Sequence, residues 1–381
     1  MAGPRVIHLD SIAALRARTA AWDDLWWRSD ATMPTLRAEL IAMWLEHFAP
    51  RAHFHALLVE DQGQLVAALP LVGRRVGQLL SAGATVGNPW SSSADVLWDA
   101  ALVADDAIGD CLAAALGRLP WQLLWLEGAA LDAPQWHALR RALGRTAAAT
   151  VSRPRWQTAR LAIDHDWNAC RQRWSQDLRR KMVRGLQRCA ADGEVTLELV
   201  DRLAADEVER RLREAFAVED AGWKGVAGSS VLRTPGMFAF FLRQAQQLAR
   251  WDQLALAMLR SGRAPLAFCY GLAAKGVFHS CKVGFDPQFG HDSPGQLLRY
   301  CLIERLQNDA EYRALDFVGP INEAQRRWHP ETYPVGRLMV APRRWLGRMA
   351  LRTYARCWPR ARGAFSVEGQ LRGAAREWTG D

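Results

Sequence analysis

The sequence predicts an α/β protein built from two similar units. Over residues 5–163, strand and helix patterns alternate at the spacing that is typical of layered α/β domains. A β-hairpin pattern occurs at 53–72 and again at 254–272, each time with a glycine turn and a second strand rich in alanine, leucine and proline. This recurrence indicates two copies of one supersecondary unit.

In the first half, apolar residues at helical spacing or in strand-like runs define the elements. Helices are predicted at 12–27, 36–48, 104–117 and 133–145, and strands at 53–59, 65–72, 121–126 and 155–163. The segment 83–93 contains small and turn-forming residues, so we expect a loop there that either lines a cleft or is a surface connection.

The second half follows the same pattern. Helices are predicted at 167–189, 201–218, 238–250 and 293–306, and strands at 195–200, 254–259, 265–272, 277–285, 312–318 and 337–340.

Composition narrows the class of protein. The 381 residues are 50% hydrophobic, which is enough for the cores of two domains. The net charge of +9 favours anionic partners such as CoA phosphates, nucleotide-sugars, tRNA or a lipid surface. Seven cysteines without a CxxC pair predict a reduced, cytoplasmic protein that uses no metal. We expect neither a signal peptide nor a membrane-spanning helix, since no apolar stretch of about 18 residues occurs.

The segment 280–298, which we call the donor loop, joins a strand to an amphipathic helix. Asp286 and Pro287 end the strand, and the helix is predicted to begin with Ser293 as N-cap and Pro294 as its first residue. Because the first turn of this helix carries no carboxylate, its backbone N–H groups can receive a phosphate. A capped helix without a ligand is the alternative. Strand, loop and helix in this order also occur in acyl-CoA-dependent acyltransferases.

Several polar residues in and near the donor loop are candidates for chemistry. Asp286 is either a base or the residue of an Asx turn, and His291 is either a titratable group at the site or a solvated loop histidine. Lys282 alternates to the same face as Asp286 and could hold an anionic substrate. Trp223 and Lys224, which lie between two glycines, look like a loop that presents an aromatic face and a cation to an acceptor; packing is the alternative.

Two helices carry an excess of arginine. One spans 171–188 and has a single-sign charge that i,i+4 pairing cannot neutralise, so it is either a solvated face or the contact for an anionic partner. The other, at 343–360, places an arginine at every fourth position beside an apolar face; it either lies on an anionic membrane or packs on the body of the protein. Residues 364–381 are expected to be disordered.

Several boxes in order resemble a known family. They are Trp44 with the strand Leu-Val-Ala-Ala-Leu-Pro-Leu-Val, the basic segment 177–184, the box Ala221-Gly-Trp-Lys-Gly225, Lys282-Val-Gly-Phe-Asp286, and Ser293-Pro-Gly295. Over roughly residues 20–345 the sequence resembles the CelD/BcsL group of GNAT-type acetyltransferases, named for an association with cellulose and exopolysaccharide biosynthesis. That group is similar to the FemABX peptidyltransferases, which pair two GNAT-like domains.

The resemblance implies two tandem GNAT-like domains, each a mixed, mostly antiparallel sheet flanked by helices. It places a degenerate domain at 1–164, a domain with the donor site at 165–345, and a basic helix with a tail at 346–381. The positions that would bind the donor, acetyl-CoA or a longer acyl-CoA, are then Val283, Gly284, Phe285, Ser293, Gly295 and Gln296.

The same resemblance implies further site residues. Asp316, Arg327 and Trp328 become candidates for substrate binding beside Trp223, Lys224 and Lys282. Fem-like relatives carry a lysine shortly before this tryptophan, where the chain has Gln325, so Arg326 is the candidate to replace its charge. It joins Asp286 and His291 as a predicted catalytic residue. No covalent enzyme intermediate is expected, and no GxSxG motif occurs.

Three functions remain open from the sequence. The first is transfer of an acyl group from acyl-CoA to an amine or hydroxyl acceptor, a sugar for example, in envelope or polysaccharide assembly. The second is aminoacyl-tRNA-dependent transfer, which suits the basic helix at 171–188. The third is a non-catalytic accessory protein of a polysaccharide synthase. The expected location is the cytoplasm, with peripheral contact to the inner face of the membrane through 343–360.

Overall fold

A computed structural model describes residues 3–76, 80–204, 206–342 and 345–361, without the side chains of 192 and 357–361. The chain divides into two compact units. The first contains the chain up to Arg155, except Thr32–Pro34, and resumes at Pro334; the second contains Thr32–Pro34 and Trp156–Tyr333.

The N-terminal part of the chain alternates helices with strands. Its elements are β1 (Arg5–Leu9), α1 (Ile12–Ala17), α2 (Thr19–Arg28), α3 (Ala38–Phe48), β2 (Phe54–Asp61), β3 (Gln64–Val76), β4 (Leu80–Gly87), β5 (Ser92–Ser93), β6 (Leu97–Trp98), α4 (Asp106–Leu116), β7 (Leu123–Ala130), α5 (Pro134–Gly144) and β8 (Ala149–Ala162).

The rest of the chain repeats this alternation. Its elements are α6 (Trp167–Gln172), α7 (Gln176–Cys189), β9 (Val195–Val200), α8 (Val208–Asp220), α9 (Trp223–Val226), α10 (Met237–Ala249), β10 (Leu254–Ser261), β11 (Ala264–Ala274), β12 (Val277–Phe285), α11 (Pro294–Gln307), β13 (Ala314–Asp316), α12 (Glu323–Arg326), β14 (Glu331–Ala341) and α13 (Trp345–Ala361).

Both units contain the same strand pattern. In the first unit the strand order is β1-β2-β3-β4-β7-β14, and in the second it is β8-β13-β12-β11-β10-β9. A hairpin, β2–β3 or β10–β11, is followed by an antiparallel strand that pairs in parallel with the next one, β4 with β7 and β12 with β13. The predicted mixed, mostly antiparallel sheets flanked by helices are therefore confirmed.

Apolar side chains cover both faces of the first sheet. Along β7, Leu124 and Leu126 belong to the core under α4 and α5, whereas Leu123 and Trp125 pack in a smaller cluster with Leu351 of α13. Because successive residues of a strand face opposite sides, α13 covers the face opposite α4 and α5. Gly347 permits this packing, since a Cβ there would lie 1.9 Å from the Gln122 carbonyl oxygen.

The second sheet is also packed on both faces. Helices α7 and α11 cover one face with a core that includes Phe278, Leu297 and Trp328. On the other face, Phe216 of α8 and Phe241 of α10 pack around Tyr270, with ring centroids 5.4–6.1 Å apart.

Strong local turn signals predicted the hairpins, β12 and the start of α11 correctly. In the first hairpin, Gln62 and Gly63 both have positive φ, which suits a two-residue turn. The predicted bounds of β12, at Val277 and Phe285, agree with the structure.

The sequence analysis was wrong about several segments, and the helix predicted at 201–218 begins only at Val208. The helix predicted at 12–27 is interrupted at Arg18. The helix predicted at 167–189 is two helices, because the Ser175 hydroxyl accepts a hydrogen bond from the Leu178 N–H (3.2 Å) and so begins α7 as a separate helix. Trp223 and Lys224 belong to the short helix α9 instead of a loop.

The predicted loop at 83–93 overlaps β4 from Gly83 to Gly87 and contains β5. Several of its residues are packing residues: Ala84, Val86 and Ser93 are buried, and a Cβ at Gly83 would lie 2.1 Å from the Trp121 ring. Only the turn after β4 has the expected loop chemistry, since the Asn88 side chain accepts hydrogen bonds from two backbone N–H groups. The predicted disorder at 364–381 lies outside the described residues.

Candidate active site

Strands β12 and β13 form a fork in the second unit. They pair in parallel only from Val277 to His279, which lies opposite Asp316. Beyond that point β13 turns away from β12, because the Asp316 carboxylate accepts a hydrogen bond from the Val318 N–H (2.9 Å) and Val318 has φ +42°. The chain stays with β8, where the Phe317 N–H donates to the Ala159 carbonyl (3.0 Å).

Beyond the fork, β12 continues alone as a partner of β11. The Asp286 N–H donates to the Leu266 carbonyl on β11 (2.9 Å). Because N–H groups alternate in direction along a strand, those of Val283 and Phe285 are directed to the edge that β13 has left. The register shifts at Cys281, so a β-bulge lies just before this open segment.

Glycines keep the open segment close to its neighbours. A Cβ on Gly284 would lie 2.5 Å from the Phe268 ring, so a side chain there would push β12 away from β11. A Cβ on Gly295, at the start of α11, would lie 3.6 Å from the Phe285 ring. The open edge of β12 and the first turn of α11 are therefore direct neighbours.

The first turn of α11 has the properties that the sequence predicted for a phosphate site. No acidic residue lies in this turn, and Pro294 has no N–H. The Gln296 N–H donates to the Ser293 carbonyl (2.8 Å), while the Gly295 N–H has no partner among the described residues. Ser293 takes the N-cap position in a left-handed conformation, but its hydroxyl makes no capping hydrogen bond.

Helix α7 is attached to the donor loop by an ion pair. Asp292 is buried, and its carboxylate pairs with Arg188 of α7 (2.5 Å) and with His291 (2.8 Å). Gly185 lets α7 come close, since a Cβ there would lie 2.9 Å from Leu297. The acidic residue nearest to the start of α11 is thus already neutralised.

Three exposed α7 cations besides Arg188 make no ion pair with the described residues. They are exposed and lie on the part of α7 that precedes Arg188: Arg180, Lys181 and Arg184.

The predicted catalytic residues lie around the same loop but have structural partners. The Asp286 carboxylate accepts a hydrogen bond from the Gln288 N–H (2.9 Å), as in an Asx turn. His291 is mostly exposed. Arg326 is exposed on α12, where Gln325 and Asn322 form a capping box through reciprocal hydrogen bonds of 2.9 Å.

Of the predicted substrate-binding residues near α12, Trp328 is fully buried. Its indole N–H donates to the Gln296 side chain (2.9 Å), and its backbone carbonyl accepts from Trp174 (3.2 Å). The hydrogen bond from Trp328 to Gln296 holds the first turn of α11 in position. Arg327 is exposed at the end of α12.

A polar cluster, the fork cluster, lies where β12 and β13 separate, and His279 and Asp316 are its buried members. It consists of His279, Asp316, Arg160 and Tyr333. The Asp316 carboxylate accepts from Arg160 (3.2 Å) and from the Tyr333 hydroxyl (2.9 Å). His279, opposite Asp316 in the register, is 3% exposed, and neither ring nitrogen has a hydrogen-bond partner of normal geometry among the described residues. Burial lowers the pKa of His279 to about 4, so the ring is neutral at pH 7.

A second buried cluster surrounds Lys282. Its ammonium lies 3.9 Å from the Glu219 carboxylate and 5.3 Å from the centre of the Phe241 ring. Lys224 pairs with the same carboxylate at 2.7 Å. Burial lowers the pKa of Lys282 to about 8; burial also opposes ionisation of Glu219, but the two lysines hold its pKa below the ordinary value.

The structure thus brings Lys282 and Lys224 together, as two predicted substrate-binding residues, while Trp223 stays mostly exposed on α9. The sequence analysis missed Glu219, His279, Arg160 and Tyr333. His279 could have been singled out as the histidine of the strand predicted at 277–285. The other three come from distant segments and leave no local signal.

The corresponding fork in the first unit is closed. Strands β4 and β7 pair in parallel up to Ala84 and Trp125, and then the Thr85 hydroxyl donates to the Glu127 carbonyl (2.8 Å) and accepts from its N–H (3.1 Å). Strand β5 pairs with the end of β4. The helix that follows, α4, begins with Asp105 as N-cap and Asp106 in its first turn, which is unfavourable for a phosphate.

Comparisons with known proteins agree with this arrangement. Residues 176–328 match the family model described as the acetyltransferase (GNAT) domain, which spans α7, the open strand and α11. The comparison with curated proteins gives no match. The matched domain indicates that the protein is an acyltransferase.

Solved structures share the fold at low sequence identity. FemX aligns with a TM-score of 0.59 at 10% identity, covering 88% of this chain and 96% of its own. A conserved protein of unknown function from Bacteroides thetaiotaomicron aligns with a TM-score of 0.51 at 12% identity, and the alignment covers 87% of this chain and 97% of that protein. The C-terminal domain of a putative lysylphosphatidylglycerol synthetase from Agrobacterium fabrum aligns with a TM-score of 0.50 at 13% identity, and the alignment covers 90% of this chain and 97% of that domain.

Two further findings concern metal sites and membrane-spanning helices among the described residues. No group of three or more His, Cys, Asp or Glu side chains among them is arranged to hold a metal ion. No described helix combines the length and apolarity that crossing a membrane requires.

Proposed function

We propose that the second unit transfers an acyl group from acyl-CoA to an amine or hydroxyl acceptor. One observation carries this proposal: the open edge of β12, with the Val283 and Phe285 N–H groups, directly neighbours the first turn of α11 and its Gly295 N–H. A thioester carrier needs both features at once, hydrogen-bond donors for its carbonyl and an anion site for its phosphates.

In this proposal, backbone N–H groups carry most of the donor recognition. The pyrophosphate of the donor lies at the first turn of α11, and the basic residues of α7 attract it. The thioester carbonyl oxygen accepts from the β12 edge, where negative charge develops as the acceptor attacks. The C–N or C–O bond forms with an electron pair of the acceptor, the C–S bond breaks, and the thiolate leaves with the electron pair of that bond.

The acceptor must lose a proton during this step. Asp286, His291 and Arg326 remain candidate catalytic residues from the sequence, and we add His279 as a proton acceptor. It is neutral at pH 7, neither ring nitrogen has a hydrogen bond of normal geometry among the described residues, and the Asp316 carboxylate opposite it would stabilise an imidazolium. Lys282 and Lys224, with Glu219 between them, are proposed to hold an anionic part of the acceptor.

A matched pair of variants tests the donor site. Gly295→Asp places a carboxylate where we propose the phosphate, whereas Gly295→Ala adds only a methyl group that has room beside Phe285. We expect acetyl-CoA or a longer acyl-CoA to raise the Tm of the wild type and of Gly295→Ala, with no shift for Gly295→Asp. Equal shifts in both variants would remove the phosphate site from α11.

A second donor class remains a candidate because of α7. An aminoacyl-tRNA would contact several phosphates at once, and the cations of α7 without ion pairs suit such a contact. RNase-sensitive activity and an affinity that falls steeply with salt would favour tRNA; activity with purified acyl-CoA alone would favour CoA. The match to an acetyltransferase domain model argues against a non-catalytic accessory role.

For the acceptor, we propose a sugar or another amine or hydroxyl compound of envelope or exopolysaccharide assembly, as the CelD/BcsL resemblance implies. The fold shared with FemX and with the lysylphosphatidylglycerol synthetase domain is compatible with that class. A mass-spectrometric screen of product formation from labelled acyl-CoA and candidate acceptors tests it, and transfer to protein or nucleic acid alone would contradict it.

A further inference from the structure

Arg299 places a cation at the fork between β12 and β13. It lies on α11 one helical turn after Gly295, so the two positions share a face of the helix. The Arg299 guanidinium carbon lies 4.8 Å from the centre of the Phe317 ring. Phe317 directly follows Asp316, the residue at which β13 leaves β12. The guanidinium is therefore beside the strand that opens the fork.

The same guanidinium also interacts with the strand on the other side of β12. The Cys269 thiol on β11 is close enough to Arg299 to affect its pKa, and Cys269 lies opposite Val283 in the register. In the sheet, β12 lies between β11 and β13. Cys269, Val283 and Phe317 all pack in the core on the α11 face. A guanidinium near both neighbouring strands therefore lies over the open segment of β12.

Arg299 has no anionic partner among the described residues. It makes no hydrogen bond or ion pair with them, and its contact is the face of the Phe317 ring. Burial lowers the pKa of Arg299 to about 10, so the group is still charged at pH 7. A largely buried charge without a counter-charge is unfavourable, and a cation–π contact compensates for part of this cost.

A ligand in the fork can reach this cation. The Arg299 side chain keeps part of its exposure. From Phe317 on, the chain follows β8, and no described strand pairs with β12 beyond Asp316. An uncharged acyl chain in this space would leave the guanidinium without a partner. An acyl group that ends in a carboxylate would supply the missing charge and two hydrogen-bond acceptors.

From this geometry we infer that Arg299 selects a donor whose acyl group carries a carboxylate, as in the CoA thioester of a dicarboxylic acid. The guanidinium fork receives the carboxylate bidentately, while the thioester carbonyl accepts from the Val283 and Phe285 N–H groups. This inference rests on the proposed acyl transfer and adds the chemical class of the donor.

Two thioesters that differ in charge test the inference. Succinyl-CoA carries the carboxylate, and isocaproyl-CoA has an isopropyl group of similar shape in its place. Calorimetry without an acceptor should show that the wild type binds succinyl-CoA about tenfold or more tightly than isocaproyl-CoA. Arg299→Met should lose this preference, because it replaces the guanidinium by an apolar side chain. Arg305→Met, at an arginine of α11 paired with Asp309 (2.8 Å), is the control and should keep the preference.

Free CoA separates this inference from the donor site itself. CoA carries the phosphates but no acyl group, so it should bind equally to the wild type and to Arg299→Met. If CoA binds but the wild type does not prefer succinyl-CoA, the donor site stands and the inference is overturned. If Arg299→Met weakens CoA and both thioesters equally, Arg299 contacts the phosphates, which also overturns it. If neither CoA nor a thioester binds to the wild type, the proposed function fails and the inference fails with it.

The variant should not impair folding. Arg299→Met removes an unpaired cation from an apolar core, so its Tm without ligand should equal or exceed that of the wild type. Arg299→Gln keeps a polar side chain and is measured in the same way if Arg299→Met does not fold. A preference for succinyl-CoA that survives in Arg299→Gln at its full size would contradict the inference.

Discussion

The ionisation of Lys282 is coupled to the fold. Its ammonium is largely buried beside Glu219 and the Phe241 ring, and burial lowers its pKa from 10.5 to about 8. The unfolded chain therefore binds more protons than the folded one between pH 8 and 10.5, so this group makes the free energy of unfolding rise with pH over that range. The largest gain in the free energy of unfolding that this group can give is roughly 3 kcal/mol, because each unit of difference in pKa is worth about 1.4 kcal/mol.

Lys282→Met should lack this rise. Urea denaturation at pH 7.5 and pH 9.5 compares the two proteins, because other groups that titrate at high pH contribute equally to both. We expect the wild type to gain stability relative to the variant as the pH increases. Parallel pH profiles would mean that Lys282 keeps an ordinary pKa.

The sequence predicted Lys282 as a site residue but could not supply its surroundings. Alternation placed its side chain on one face of β12, and this remains correct beyond the bulge at Cys281. Glu219 contacts it from α8, a helix whose position depends on tertiary packing, so no spacing in the sequence links the two. Tyr333 escaped prediction for the same reason, because its partner Asp316 belongs to another strand.

Among the elements, those with strong end signals were predicted well. Asp286 and Pro287 end β12, and Ser293 and Pro294 begin α11, as local turn and cap chemistry requires. The break between α6 and α7 was missed because the apolar pattern continues across it. The strands β4 and β5 were missed because their glycine and alanine residues, which tight packing requires, resemble loop composition.

Helix α7 should contribute to donor affinity through charge alone. Arg180→Gln and Arg184→Gln remove exposed cations that make no ion pair with the described residues, so the fold should not change. Calorimetry with the donor at several salt concentrations should show an affinity several-fold lower in the double variant and a shallower salt dependence. Arg210→Gln on α8, which removes an exposed arginine paired with Glu207, is the control.

The size of the change in salt dependence distinguishes the two donor classes. If each of these cations neutralises one phosphate of a tRNA donor, each substitution should reduce the slope of log affinity against log salt by about one. Acyl-CoA should show a smaller reduction. If the double variant has the same donor affinity and the same salt dependence as Arg210→Gln, the charged face of α7 is solvated and does not contact the donor.

At the scale of the whole molecule, the two units share a strand pattern but differ at the fork. In the second unit the edge of β12 is open and α11 begins without an acid; in the first, Thr85 bridges the fork and α4 begins with Asp105 and Asp106. We therefore expect one acyl-CoA per chain. Calorimetry checks this number, and two equivalent sites, or one site that survives Gly295→Asp, would contradict it.

Helix α13 gives the last prediction, because only part of its apolar surface is packed. Leu351 is buried against the first sheet and Tyr354 packs on Trp125, whereas Trp345 and Met349, one turn apart, are 66% and 55% exposed. Arg352 and Arg356 are exposed on the same helix. Apolar side chains beside cations favour binding to an anionic membrane surface.

Vesicle sedimentation tests this surface of α13. We expect the protein to sediment with vesicles that contain phosphatidylglycerol and to bind less with neutral phosphatidylcholine or at high salt, since each arginine near an anionic surface contributes about 1 kcal/mol. Trp345→Ser with Met349→Ser should weaken binding and leave the Tm unchanged, because the packed residues of α13 remain. Trp27→Ser on α2, at a tryptophan that is 54% exposed, should not affect binding. Equal sedimentation of both variants would show that α13 does not contact the membrane.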